Sequence, residues 1–341
     1  MCTTFPVKAK DGSMIVGRTM EFGLDLKSNI IVAPRERDNV GTGPRGLPGL
    51  RWRSRYGFVG FNAFGSELVI DGLNEVGLAM SELWLPGHSS FADATEDDAE
   101  RALGPAEIAN WSLGNFATVA ELKAALPSVK VWGVKTAELG NVPAPVHFAF
   151  HDTHGDCLVV EFVEGRVDIH DNPLGVLTNA PPFDWHVNNV RNYINLTALN
   201  VPKVELSGIE IAATGQGTGM LGLPGDYTPP SRFVRAVAFS QAAEQPDDAA
   251  GATNMAWHIL NTFDIFRGAV VERKADGQTS YDITQWATVR DLTNRRVYFR
   301  TYGSMRIHMI ELTRLRFDGD RVKTIVLDRP ETFEDVTEQT A

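Results

Sequence analysis

The stretch Met1-Cys2-Thr3-Thr4-Phe5 guides the interpretation of this chain, because it puts a cysteine directly behind a methionine that is normally trimmed before a small residue. Trimming would leave Cys2 with a free α-amine beside its thiol. Such an amine is a recognised base for a nucleophile, and its ordinary pKa of about 7.7–8.0 leaves a neutral fraction near pH 7. Cys2 is therefore a candidate nucleophile with its own base. The alternative is a buried, small apolar residue.

The residues that follow Cys2 predict a β-hairpin that returns charged side chains to the thiol. Alternation predicts a first strand, Asp11-Gly12 a turn, and Ser13 to Met20 the return strand. Arg18 and Glu21 would then lie at the end of the hairpin that carries Cys2. A fixed cation stabilises a neighbouring thiolate, and a carboxylate can hold an amine. The alternative is a strand-end ion pair, which is common and weak.

The composition is that of an ordinary soluble globular protein. The chain has 341 residues, 43% of them hydrophobic, and a net charge of −11, which argues against a nucleic-acid partner. No apolar run is long enough to span a membrane, and two cysteines indicate no disulfide framework. Lys8, Lys10 and Arg18 stand where a signal peptide would be apolar. We therefore expect a cytoplasmic protein, or a periplasmic one if the chain derives from an exported precursor.

Two residues in the second half of the chain are further candidates for the same site. Val176 to Thr178 predicts a short strand that ends at Asn179 because two prolines follow. An asparagine fixed in this way can donate its amide to an oxyanion, although an ordinary turn residue is the alternative. Pro229-Pro230 opens a predicted helix with Arg232 in its first turn. A cation is disfavoured there, which indicates either an anionic partner or a surface position.

Two other motifs do not indicate a cofactor. His147, His151 and His154 flank a turn and would converge poorly on a metal, which needs three or four ligands in one place. The GxGxxG pattern of Gly217 to Gly222 runs into Pro224 rather than into a helix, so it predicts a loop and not a dinucleotide site. We expect neither a metal nor a nucleotide cofactor.

The order of the predicted elements is strands, helices, strands, helices and strands. It includes a helix from Asp184 to Leu196 and a C-terminal meander of four strands between Tyr281 and Leu327. No repeat or interdomain linker interrupts this order. The pattern predicts an α+β protein in which helices cover sheets within one domain.

Several stretches, taken together and in this order, resemble the choloylglycine hydrolase and penicillin V acylase family of cysteine N-terminal-nucleophile hydrolases. The resemblance covers most of the chain and implies a single domain, residues 1–341, folded as a four-layer αββα sandwich. It also implies hydrolysis of a linear amide C–N bond of a small molecule without metal or cofactor. The stretches are Met1-Cys-Thr-Thr, Gly17-Arg-Thr-Met-Glu-Phe, Asp71-Gly-Leu-Asn-Glu-Val-Gly-Leu, Gly175-Val-Leu-Thr-Asn-Ala-Pro-Pro-Phe-Asp-Trp-His, Gly215-Gln-Gly-Thr-Gly and Pro230-Ser-Arg-Phe.

The resemblance also implies a role for each candidate residue. Cys2 would attack the carbonyl carbon, and water would resolve the acyl-enzyme. Arg18 matches the arginine beside the thiolate, Asn179 the oxyanion asparagine, and Arg232 the conserved active-site arginine. Glu21 departs from the family, which usually has aspartate there, so its contact with the α-amine must shift.

A second departure bears on the substrate. Trp84 stands where bile salt hydrolases carry asparagine, although its backbone N–H can still serve the oxyanion hole. The bulkier ring favours an aromatic acyl group, as in penicillin V acylases. Conjugated bile salts and N-acyl homoserine lactones remain alternative substrates, and an inactive binding protein is the alternative from another class. The segment near residues 188–215 resembles one that assembles relatives into tetramers, so we expect a homotetramer.

Overall fold

The computed structural model describes residues 1–273 and 277–337. Five α-helices occur in these ranges: α1 Ile108–Asn115, α2 Val119–Ala125, α3 Phe183–Val190, α4 Pro229–Ala242 and α5 Ala249–Leu260. The strands of the same ranges are β1 Cys2–Lys8, β2 Met14–Phe22, β3 Asn29–Ala33, β4 Asp38–Thr42, β5 Pro48–Arg53, β6 Phe58–Asn62, β7 Val69–Asn74, β8 Ala79–Trp84, β9 Ala102–Leu103, β10 Lys130–Val131, β11 Lys135–Thr136, β12 Val142–Pro143, β13 Val146–His151, β14 Cys157–Val163, β15 Arg166–Asp171, β16 Val204–Leu206, β17 Ile209–Ile211, β18 Val270–Arg273, β19 Thr279–Asp291, β20 Arg296–Thr301, β21 Ser304–Glu311 and β22 Lys323–Val326.

Two large sheets form the centre of the molecule. The first has the strand order β1-β2-β19-β20-β21, with β18 also paired to β19. The second has the order β15-β14-β13-β8-β7-β6-β3-β22. Helices α4 and α5 pack on the first sheet, whereas α1 and α2 pack on the second. The predicted αββα sandwich is confirmed.

Strand β2 is buried on both faces because its sheet lies between the second sheet and a layer of helices. In β2, only the last residue, Phe22, is not buried, since helices cover one face and the second sheet covers the other. Phe61 of β6 and Trp286 of β19 stack across the interface with ring centroids 4.9 Å apart. The side chains that reach from one sheet to the other also include charged groups, and these form part of the site described below.

Three predicted elements differ from the structure. The short strand predicted from Val176 to Thr178 is a single bridge between Leu177 and Thr4. The helix predicted to end at Leu196 ends at Val190, and a short 3₁₀ turn follows it. Beyond it the apolar side chains find no partner surface, since Ile194 is 85% exposed. The last predicted strand, β22, does not join the meander but pairs with β3 in the second sheet. Alternation reveals a strand but not the sheet to which it belongs.

A small hairpin, β16–β17, projects from the region between α3 and α4. All its strand residues are exposed, and it carries Leu206 and Ile209, which are 61% and 63% exposed. Leu199 and Leu221 nearby are also largely exposed. We call residues 194–221 the apolar projection. Separately, none of the helices in the described ranges combines the length and apolar character needed to cross a bilayer.

Candidate active site

Cys2 begins β1 and is held through three of its own groups. Its backbone N–H donates to Asn179 Oδ1 at 2.7 Å, and Arg18 Nη2 lies 3.8 Å from its Sγ. Its carbonyl oxygen accepts from Arg232 Nη1. The structure thus brings together three candidates that are far apart in sequence, and only 2% of Cys2 is exposed.

Arg18 reaches the thiol from the neighbouring strand of the predicted hairpin. β1 and β2 pair antiparallel with Cys2 opposite Met20. The guanidinium donates to the carbonyl of Ile70 at 2.8 Å and to the carbonyl of Glu82. Burial opposes the charge, but Asp71 and the Cys2 thiol outweigh it, so the pKa of Arg18 is raised. Arg18 is therefore a permanent, fully buried cation at the sulfur.

Asp71 is the counterion of Arg18 and also serves a second buried arginine. Its Oδ1 lies 3.2 Å from Arg18 Nη1 and 2.6 Å from Arg290 Nη1. Thr288 and Ser81 donate hydroxyl hydrogen bonds to the same carboxylate. Burial lowers the pKa of Arg290 to about 10 despite the pull of Asp71. One carboxylate therefore holds two cations between the sheets, a feature that sequence reasoning missed.

Asn179 has its amide orientation fixed by its neighbours. Oδ1 accepts from both Cys2 N and Arg232 Nη2, each at 2.7 Å. Nδ2 donates to the carbonyl oxygen of Trp84 at 2.7 Å. An amide nitrogen carries two hydrogens, so one N–H is used by Trp84 and the other makes no hydrogen bond among the described residues.

The backbone N–H and C=O of Trp84 point to the side of β8 on which Asn179 lies. Leu85 N donates to Pro145 O on the β13 side, and neighbouring residues of an antiparallel pair alternate between bonded and non-bonded positions. The N–H and C=O of Trp84 therefore point away from β13. Since the C=O meets Asn179, the N–H of Trp84 lies on the same side of the strand.

Arg232 is buried rather than on the surface, although it lies in the first turn of α4. Nε donates to Tyr227 O at 2.9 Å and Nη1 to Thr3 Oγ1 at 2.7 Å. Burial lowers its pKa, whereas the charge of Glu21 opposes that change. The surface alternative for Arg232 is wrong. Its hydrogen bonds fix the chain at Cys2 and the side chain of Asn179.

Glu21 lies on β2 but its carboxylate turns to another strand. Oε1 accepts from Thr284 Oγ1 of β19 at 3.1 Å, and Oε2 is buried without a hydrogen-bond partner among the described residues. Burial raises the pKa of Glu21, and the charge of Arg232 opposes this. None of its side-chain hydrogen bonds within the described ranges goes to Cys2, whose N–H is bound by Asn179.

Met1 continues the first strand beyond Cys2. Its N donates to Glu21 O, and its O accepts from Glu21 N at 2.8 Å. While Met1 is attached, the nitrogen of Cys2 is an amide and cannot accept a proton. Its removal would leave an amine that faces the amide oxygen of Asn179.

The loop that carries Asn179 is held by histidines that sequence reasoning considered only as metal ligands or did not single out. His147 lies 3.1 Å from Thr178 O and 2.7 Å from Glu161, whose carboxylate also accepts from the N–H of Phe183. His186 Nε2 donates to Asn179 O at 2.8 Å. Burial lowers the pKa of His186 to about 4, so it stays neutral.

A small apolar cavity lies next to Cys2. Its volume is about 60 Å³, and Cys2, Trp84, Phe22 and Phe64 are in its wall. The rings of Trp84 and Phe22 meet edge to face at a centroid distance of 5.3 Å. We call this space the thiol chamber. Its aromatic wall suits a flat, apolar group attached to a carbonyl at Cys2.

Comparison with known proteins gives consistent results. A bile salt hydrolase/transferase of Clostridium perfringens is 32% identical over 330 residues, which cover 95% of this chain and 96% of that protein. A crystal structure of a mutant conjugated bile acid hydrolase from the same organism has a TM-score of 0.86 and 30% identity, with 99% and 100% of the two chains covered. For penicillin V acylase from Agrobacterium tumefaciens the TM-score is 0.78 and the identity 25%, over 96% and 92%. Residues 2–325 match the linear amide C–N hydrolases, choloylglycine hydrolase family, and the chain belongs to that family.

Proposed function

We propose that this protein hydrolyses linear amides with an aromatic acyl group, of the penicillin V type, and that Cys2 is the nucleophile. The observation that carries the proposal is the environment of Cys2. A buried cation lies at its sulfur, an amide oxygen at its nitrogen and an apolar chamber beside it. A nucleophile, a base and a shaped acyl site are the components that amide hydrolysis by acyl transfer requires.

The reaction would proceed through a thioester. After removal of Met1, the α-amine of Cys2 takes the thiol proton, and the sulfur attacks the carbonyl carbon. The tetrahedral oxyanion meets the free N–H of Asn179 and the N–H of Trp84. The C–N bond then breaks as the amine passes the proton to the leaving nitrogen. Water, deprotonated by the same amine, hydrolyses the thioester and restores the thiol.

Arg18 and Arg232 would have different parts in this reaction. Arg18 would stabilise the thiolate, because it stays charged and its position is fixed by Asp71 and two carbonyls. Arg232 would hold Asn179 and the Cys2 carbonyl in place. Glu21 lies on the strand beside the new amine, and one of its buried carboxyl oxygens has no hydrogen-bond partner among the described residues.

A conjugated bile salt is the second candidate substrate. The observation in its favour is the 32% identity to the bile salt hydrolase/transferase of Clostridium perfringens across nearly the whole chain. Against it stands the small thiol chamber, which Trp84, Phe22 and Phe64 restrict. A rigid steroid needs a wider opening than a single ring.

A substrate panel tests the proposal. The purified protein is first checked by intact mass for loss of Met1, and then assayed with penicillin V, glycocholate and an N-acyl homoserine lactone. We expect release of 6-aminopenicillanic acid at a higher kcat/KM than release of glycine. Hydrolysis of glycocholate alone would favour the second candidate. Turnover of none of them by trimmed protein would point to another acyl group or to an inactive site. A cytoplasmic location, or a periplasmic one if the chain derives from an exported precursor, stays a prediction.

The variant Trp84→Asn tests whether the aromatic wall selects the acyl group. We expect kcat/KM for penicillin V to fall relative to glycocholate by roughly 10-fold, because the ring contact with the acyl group is lost. The backbone N–H is retained, so turnover itself should continue. Kinetics with both substrates on the same preparation measure the ratio. An unchanged ratio would contradict a role of Trp84 in selection.

We further propose that the apolar projection assembles the protein into a homotetramer. The support is the exposure of its apolar side chains, since Ile194 is 85% exposed and Leu221 is 81% exposed. Exposed apolar patches of this kind mark interaction surfaces. Light scattering should give a mass about four times that of one chain. Leu206→Asp and Ile209→Asp together should shift it towards the monomer. A monomeric mass for the unaltered protein would contradict the proposal.

A further inference from the structure

A carboxyl group lies at the boundary between the thiol chamber and a second cavity. The second cavity has a volume of about 290 Å³ and is lined in part by residues 134–139. We call it the outer chamber. Among the described residues, the wall shared by the two chambers has one charged side chain, Glu82, and is otherwise apolar. The shared residues are Ala63, Phe64, Ile70, Glu82, Leu139 and Ala144.

The protein around Glu82 leaves one of its carboxyl oxygens without a hydrogen-bond partner among the described residues. Arg18 bonds to the backbone carbonyl of Glu82, whereas Oε2 is buried and has no hydrogen-bond partner in the part of the chain that the structure describes. An unpartnered buried polar atom is costly. Burial raises the pKa of Glu82 to about 8 although Arg18 opposes the change. At neutral pH the group is therefore mostly a neutral acid with an O–H to donate.

The strand geometry places Glu82 along the path of an acyl group. Glu82 and Trp84 are two residues apart on β8, so their side chains share one face. The carbonyl of Trp84 contacts Asn179, which marks where the substrate carbonyl would lie. An acyl group attached at Cys2 and directed into the outer chamber therefore passes Trp84 and then Glu82.

We propose that Glu82 is a specificity-determining residue that donates a hydrogen bond to an ether or hydroxyl oxygen within the acyl group. The inference rests on the proposed amide hydrolysis at Cys2 and adds a substrate feature to it. An acyl group with an oxygen at this place satisfies the buried Oε2 of Glu82, whereas an all-carbon chain leaves that atom without a partner. Sites built to bond a substrate oxygen discriminate against analogues that lack it.

A matched pair of substrates provides the first test. Penicillin V carries a phenoxyacetyl group, and its 3-phenylpropanoyl analogue replaces the ether oxygen with CH2 at the same length. We expect the unaltered protein to favour penicillin V by about 10-fold or more in kcat/KM. Part of that ratio reflects the more electrophilic carbonyl of the ether, so the decisive quantity is how the ratio changes in variants.

Two variants of Glu82 separate hydrogen bonding from volume. Glu82→Gln keeps an N–H donor, and Glu82→Met keeps a similar volume without one. We expect the ratio to be retained in the Gln variant and to fall about 10-fold in the Met variant, while hydrolysis of the CH2 analogue continues. Thermal unfolding of both variants checks that they fold. A Met variant that keeps the full ratio would overturn the inference.

The pH dependence provides a test that needs only the folded Gln variant. Neutral Glu82 donates below its pKa of about 8, so the ratio should be high there and fall as the pH rises through it. The ratio of the Gln variant should stay flat, and a parallel fall in both would overturn the inference. Ionisations that change kcat/KM for both substrates by the same factor cancel in the ratio. The other titratable groups next to Glu82 or in the chamber walls are Arg18, Cys2, Glu107, Lys135 and Glu138.

The outcomes also separate this inference from the proposed function. Equal hydrolysis of both probes by the unaltered protein and by both variants leaves amide hydrolysis intact and overturns the role of Glu82. A higher rate for an amine-bearing acyl group than for its ether counterpart would overturn the choice of an oxygen. Hydrolysis of neither probe by trimmed protein would overturn both.

Discussion

Replacing Cys2 by Ala should abolish amide hydrolysis, with a loss of roughly 10⁴-fold or more in kcat. Among the described residues that contact Cys2, none is a nucleophile of comparable strength, because Arg18, Asn179 and Arg232 do not attack carbonyls. The acyl site and oxyanion donors would remain, so substrate binding should change little. Steady-state kinetics together with a binding measurement on the Ala variant separate the two effects.

Cys157 is the matched control for this prediction. It is the other cysteine of the chain, and it is buried in β14, where burial raises the pKa of its thiol. Cys157→Ala should keep full activity, and iodoacetamide should inactivate both this variant and the unaltered protein. Loss of activity in the Cys157 variant, or activity in the Cys2→Ala variant, would contradict the assignment of the nucleophile.

The same argument predicts the effect of a retained methionine. With Met1 attached, the Cys2 nitrogen is an amide whose N–H is already bound to Asn179, so no base is available at the thiol. We expect preparations with unprocessed Met1 to be inactive in proportion to the unprocessed fraction given by intact mass.

The hairpin that carries the site could be predicted from the sequence, because its signals are local. Alternation in two strands and a turn at Asp11-Gly12 fix the pairing of β1 with β2, and the pairing determines that Arg18 returns to the end that carries Cys2. The strand predicted before Asn179 is only a single bridge between Leu177 and Thr4, so the prolines correctly predict that the chain turns at Asn179 but not a strand. The resemblance to a family supplied the remaining connection, that these residues meet at one site.

The supporting residues could not be predicted, because their partners come from distant strands of different sheets. Asp71 lies on β7 of one sheet, whereas Arg18 and Arg290 lie on β2 and β19 of the other. No spacing in the sequence reports such a contact. Glu82 was missed for a similar reason, since only the cavities on both sides of it distinguish it from an ordinary strand residue.

The role of His147 could not be predicted from the sequence either. The sequence around His147 does not favour a metal site, and its neighbours in sequence indicate no other role. In the structure it lies between Glu161 and the carbonyl of Thr178, next to Asn179. Its place behind Asn179 results from the pairing of β13 with β14, which no local pattern specifies.

Asp71→Asn should cause the largest loss of stability among single substitutions near the site. The substitution keeps the shape of the side chain but removes the negative charge between two fully buried guanidinium groups. Breaking a buried ion pair by removing one partner costs about 3–5 kcal/mol, because the remaining charge is left uncompensated. Here two cations lose their counterion. Urea unfolding at pH 7 measures the change in the free energy of unfolding.

An exposed aspartate supplies the control for that measurement. Asp247 is paired with Lys10 at 2.7 Å, but both side chains are largely exposed, so Asp247→Asn should leave the unfolding midpoint almost unchanged. Equal effects of the two substitutions would contradict the network. Arg18 also bonds to the carbonyls of Ile70 and Glu82. Folded Asp71→Asn protein should therefore retain measurable hydrolysis, which distinguishes a loss of stability from a loss of the thiolate's cation.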